Sequence, residues 1–187
     1  MKSFVVLALA VLLGPVALAQ HETFAVNPDS SEVKITLITT HEVVNGSFHV
    51  QSGSVGFDRG DAKMAGSVVV VAGSGKTGSS MRDKKMTNDI LHAGQYGVIL
   101  FEPKSYAGTI APQGDSTVQV TGMFTLLGTP HEITVPMVVH FEGAGATAKA
   151  HFSIPYVAWG LKNPSFLMWK VENDVAIDLN LVGFLSK

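Results

Sequence analysis

Five stretches of this chain change character at every second residue, a period that fits a β-strand and no helix. Val33, Ile35, Leu37 and Thr39 alternate with Lys34, Thr36 and Ile38, and Val118, Val120, Gly122, Phe124 and Leu126 with Gln119, Thr121, Met123 and Thr125. The same holds for Ile133 to Phe141, for Ala148 to Ile154 and for Val175 to Leu181. Each would send one set of side chains to a core and the other to solvent. Weaker strands are expected at about 22–27, 46–58, 67–72 and 97–107. Asn45-Gly46 has the chemistry of a tight hairpin turn, and Gly143 to Gly145 would join two further strands in the same way. Short connections make sequential strands antiparallel neighbours. Eight or nine such strands form a long sheet, and closing it removes the exposed edges. The expected fold is all-β, an antiparallel barrel of about eight strands.

Two segments break the alternation. Ser79 to His92 reads as one inserted helix, with Ser80 as N-cap, Asp83 at the reciprocal position of a capping box, and Met86, Ile90 and Leu91 as its apolar stripe. A loose glycine-rich stretch, Gly73 to Gly78, precedes it. The second, Pro155 to Trp169, is irregular and carries both tryptophans.

The N-terminus assigns a compartment. Lys2, the apolar run Phe4 to Leu13, the break at Gly14-Pro15 and the small residues of Ala17-Leu18-Ala19 describe a secretory signal peptide, residues 1–19, cleaved before Gln20. The run is too short for a bilayer span, which needs about 20 apolar residues, so no stable membrane anchor is expected. Residues 20–187 then form one domain, periplasmic or secreted. The chain has no cysteine, which removes disulfides, thiol catalysis and thiolate metal sites. Its formal net charge is −2 with no basic cluster, so nucleic acid is not an expected partner.

The inward sets mix small residues (Thr39, Gly122, Ala148, Ala150) with Phe124, Met137 and Phe152. Two interiors fit that mixture: a filled one, and one with room for a hydrocarbon chain. No catalytic set stands out, and no nucleophile elbow occurs. Seven histidines raise the question of a metal, but none has a ligand spacing. His140 and His151 fall on the outward phase as possible cross-strand neighbours, and no metal site is expected. His41 sits in the inward phase at a strand end, where it either caps the barrel mouth or meets a ligand. Arg82 either offers its planar fork of donors to a head group or partners Asp83 on the surface.

The order and spacing of several short motifs resemble the YceI-like family. They are Phe24-Ala-Val-Asn-Pro-Asp29, Ser31-Glu-Val33, His41, Gly46-Ser-Phe48, Gly53 to Asp58, Thr77-Gly78 with Met81-Arg-Asp83, Tyr96 with Phe101, and Gly122 to Gly128. The chain departs from the family pattern at Lys84-Lys85-Met86, at Gly97 after Tyr96, and over Pro155 to Ser165. The resemblance implies a lipocalin-like barrel with a helix and an elongated apolar pocket for a polyisoprenoid or similar lipid. Leu37, Phe124, Met137 and Phe152 would line that pocket and the helix carrying Met86 would cover it. Phe101, His41 and Arg82 complete the candidate ligand-binding set. The implied function is a non-enzymatic carrier or store, with no cofactor beyond a bound isoprenoid lipid or quinone. The alternative is an envelope-stress or secretion-related interaction module with a filled barrel. Monomer and homodimer both remain open.

Overall fold

Strands form where the period-two runs lie, and the side chains placed inward by that period are the ones removed from water. The computed structural model describes residues 21–186, so the expected signal peptide falls outside it. In chain order the strands are β1 (His21–Val26), β2 (Glu32–Ile38), β3 (Val43–Phe48), β4 (Val50–Asp58) and β5 (Asp61–Val71). A short helix α1 (Ser80–Lys84), running on as a π-helical turn (Lys85–Ile90), precedes β6 (Val98–Ala107). Then follow β7 (Gly114–Leu126), β8 (Thr129–Glu142), β9 (Gly145–Ile154) and β10 (Val175–Ser186).

Every pairing is antiparallel. The order β1-β4-β5-β6-β7-β8-β9-β10 closes on itself because β10 also pairs with β1, giving an eight-stranded barrel with β2 and β3 as two extra strands. One edge of β10 pairs with β9, and the other edge is shared: residues 176–180 bond to β2 and residues 183–186 to β1. The jog between β1 and β2 is a single turn, Pro28–Ser30, which Asn27 caps by accepting a bond from the Asp29 N–H. Along β7, Val118, Val120, Phe124 and Leu126 are buried; along β8, Val135, Met137, Val139 and Phe141 are.

Three local expectations are corrected. Asn45-Gly46 is not a turn but lies inside β3, opposite Thr36 and Ile35. The hairpin turns instead at Thr39 to Glu42, where Thr39 Oγ1 accepts bonds from the N–H groups of His41 and Glu42. Glycine at 46 leaves room for the Lys76 carbonyl, which would stand only 3.0 Å from a β-carbon there. Ser79 rather than Ser80 holds the N-cap position, without a side-chain capping bond, and Asp83 bonds Thr77 instead of closing a capping box. Gly122 makes no room for a ligand: β6 runs so close that a β-carbon would lie 2.5 Å from the Glu102 carbonyl.

Alternating strand direction sorts the connections to two ends. At one end lie the β4–β5, β6–β7 and β8–β9 connections. Arg59 closes it, lying over the rings of Phe57 and Phe141 at 5.7 and 4.9 Å and ion-paired at 2.6 Å with the buried Glu22. Its guanidinium also donates to the Ile110 and Ala111 carbonyls. The other end carries the β2–β3 and β7–β8 turns, the helix, and the irregular segment 155–174.

Candidate functional site

The interior is not full. A cavity of about 220 Å³ follows the barrel axis, with a wall running from Ile110 and Phe141 near the Arg59 end to Leu161 and Pro164 at the helix end. The nine residues of β7 from Val118 to Leu126 mark its length, roughly 20 Å at about 3.3 Å per residue and a 40° strand tilt. Its wall is almost wholly hydrocarbon, the hydroxyl-bearing exceptions being Thr147, Tyr106 and Tyr156. Both tyrosine hydroxyls turn away to bond backbone carbonyls at 2.8 Å, Tyr106 to Asp58 and Tyr156 to Glu172. Burial raises the pKa of Tyr106 and pushes that of Tyr156 up to about 12, so both stay neutral donors. A chain inside would therefore meet no side-chain charge, and any polar head must remain at the mouth.

Six of the eight expected ligand-binding residues stand on this wall: Leu37, Met86, Phe101, Phe124, Met137 and Phe152. The helix contributes Met86, Ile90 and Leu91 together. Its π-type turn, closed by the Leu91 N–H on the Met86 carbonyl at 2.9 Å, brings positions five apart to the same side.

His41 and Arg82 lie outside the cavity. His41 belongs to the β2–β3 turn, is exposed, and packs its ring against Trp169 at 4.6 Å. The inward phase expected for it ends at Thr39, where the turn begins. Arg82 pairs with Glu42 at 2.5 Å and with the Thr77 hydroxyl and carbonyl at 3.3 Å. Asp83 holds Thr77 from the other side through its N–H and hydroxyl at 2.7 and 2.8 Å, and these bonds lower the Asp83 pKa. Thr77, Arg82 and Asp83 thus form one clasp that ties the helix start to the β2–β3 turn.

Sequence reasoning missed the contribution of the irregular segment. Tyr156, Leu161 and Pro164 complete the wall at the mouth, yet no period marks them. Trp159 lies beside them, stacked nearly parallel on His131 at 4.1 Å and 5.8 Å from Phe124. His140 and His151 are not neighbours; they pair with Asp115 and Asp178, each at 2.7 Å, on the exposed outer wall. Among the described residues no three His, Asp or Glu side chains converge on a metal position, and no helix is long and apolar enough to cross a membrane.

Eight antiparallel strands closed around an apolar hollow define a lipocalin-like barrel. Residues 24–183 match the YceI-like domain, and the chain belongs to that family. Its fold is similar to that of BcnA from Burkholderia cenocepacia, with TM-score 0.68 and 23% identity over 84% of this chain and 99% of that one. It is also similar to a polyisoprenoid-binding domain from Saccharophagus degradans implicated in plant cell wall breakdown (TM-score 0.65, 15% identity, 87% and 98% covered). The YceI protein of Campylobacter jejuni matches with TM-score 0.56 and 13% identity over the full length of both chains. At these identities the likeness establishes the fold alone. Comparison with curated protein sequences finds no match.

Proposed function

We propose that this protein is an exported, non-enzymatic carrier or store for a polyisoprenoid or similar long-chain lipid. The observation that carries the reading is the hydrocarbon-walled cavity along the barrel axis. An empty apolar void costs stability in proportion to its volume. At about 24 cal/mol per Å³, 220 Å³ amounts to about 5 kcal/mol. That is as large as the whole net stability of many domains, and a bound chain would recover it. Three flexible methionines, Met64, Met86 and Met137, line the wall and could shift to admit a longer chain. Family membership and the polyisoprenoid-binding neighbour from Saccharophagus degradans support the same ligand class.

Transfer energetics favour a carrier over a sink. Burying a methylene gains about 0.8 kcal/mol relative to water, but a membrane lipid is already out of water. Movement from bilayer to barrel is then nearly balanced, and the cargo can be released as readily as it is taken up. The signal-like N-terminus supports placing this exchange in the periplasm or outside the cell.

Protein purified from its own host and sprayed from native solution should carry a lipid mass that extraction identifies as a prenyl lipid or quinone. Finding no co-purified lipid, together with no uptake of a prenyl alcohol or quinone by the delipidated protein, would overturn the reading.

A further inference from the structure

The irregular segment does two things at once. Its Tyr156, Leu161 and Pro164 face the cavity, while Phe166 to Trp169 form a tight turn that points away from it. That turn is closed by reciprocal backbone bonds between Phe166 and Trp169 at 3.0 and 2.9 Å. Soluble surfaces seldom group large apolar side chains, so a contiguous group marks a contact. Here Phe166 is 70%, Leu167 79%, Met168 83% and Trp169 45% exposed. Leu167 is also held at φ 51°, a left-handed conformation that is uncommon and costly for leucine. A strained backbone position thus holds an apolar residue in the exposed tip.

The turn is not alone. The Thr40 N–H bonds the Lys170 carbonyl, and His41 packs on Trp169, so the tip of the β2–β3 hairpin lies against it. That hairpin adds the exposed cross-strand pair Ile38 and Val43. Met81, 80% exposed, stands beside Arg82, which is tied to the same hairpin through Glu42. All three segments also supply cavity wall through Leu37, Met86 and Leu161. The exposed apolar group is therefore the outer lip of the cavity mouth. Across the tip, from Lys162 to Lys170, the segment has two lysines and no acidic residue; its two acids, Glu172 and Asp174, come after the tip, on the approach to β10. Both lysines are exposed and neither has an ion-pair partner among the described residues. An apolar tip flanked by free cations, on a chain of net negative charge, suits a bilayer with anionic head groups better than a second acidic copy of itself.

We propose that Phe166–Trp169 with its hairpin neighbours is a membrane-docking lip that dips into an anionic lipid surface and sets the cavity mouth against it. The proposal rests on the lipid-carrier reading and adds where the cargo comes from: directly out of a bilayer, without passage through water. The test uses vesicles of phosphatidylethanolamine and phosphatidylglycerol, with and without a prenyl alcohol, and the double variant Leu167→Asn, Met168→Ser. Both positions are solvent-facing and asparagine tolerates positive φ, so folding should be untouched, which circular dichroism verifies. The wild-type protein should co-float with the vesicles, more weakly in high salt. The variant should lose vesicle partitioning by about tenfold or more and take up prenyl alcohol from vesicles correspondingly slowly. Its final loading from ethanol-delivered prenyl alcohol should equal that of wild type.

Failure of the wild type to co-float, or equal uptake rates from vesicles for both proteins, would overturn the lip while leaving the carrier reading intact. A wild-type dimer that the substitutions convert to monomer would also overturn it, by assigning the surface to a second copy. Absence of loading by either delivery route would instead overturn the carrier reading, while wild-type co-flotation that the variant loses would still uphold the lip as a membrane contact.

Discussion

Ala148 is the position at which the carrier reading is most exposed to test. It is 6% accessible, lies on β9 between Val139 and Leu181, and faces the cavity. Replacing it with leucine adds three carbons to the void. In delipidated protein these carbons leave water without displacing anything, which is worth about 2.4 kcal/mol at about 0.8 kcal/mol per carbon. A domain of this size should respond with a rise in Tm of roughly 5–10 °C. The ligand loses room for about three of its own carbons, so affinity for a prenyl alcohol should fall roughly 50-fold. Stability and binding thus move in opposite directions, which a general perturbation would not produce. Thermal melts of delipidated protein and equilibrium binding of a fluorescent prenyl analogue measure the two quantities. Ala150, on the same face but outside the cavity lining, is the control. Ala150→Leu should lose about 1–3 kcal/mol to overpacking. Destabilisation of Ala148→Leu to the same extent would refute the cavity. A stabilised variant with unchanged affinity would place the lipid elsewhere.

Two further expectations concern the ends of the barrel. Glu22→Ala removes the partner of Arg59 and should lower stability by about 3 kcal/mol in urea titrations, whereas the apolar double variant Glu22→Leu, Arg59→Met should recover most of it. Tyr156 should couple stability to alkaline pH. Burial lifts its folded-state pKa from the ordinary 10.0 to about 12. Its contribution is then fully present below pH 10 and is lost as the pH rises through about 12. Tyr156→Phe should lose stability less steeply than wild type over that window; parallel curves would contradict the burial argument.

Along the alternating strands the sequence alone determined which residues face inward. A strand sends alternate side chains to opposite faces, so the identities of Val118 to Leu126 and of Ile133 to Phe141 sufficed to mark two walls of the cavity before any pairing was known. Asn45-Gly46 misled because its turn chemistry is local, whereas the glycine answers to the Lys76 carbonyl, a neighbour 30 residues away. Gly122 misled for the same reason. Whether the barrel was hollow could not be read from composition, since a void is a difference between volumes contributed by ten strands and a helix at once. The irregular segment lay further still from sequence reasoning: without a period, nothing in Pro155 to Lys170 separates the residues that turn inward from those that turn out. Only the closed barrel decides this, by leaving Leu161 and Pro164 over the hollow and Phe166 to Trp169 in solvent.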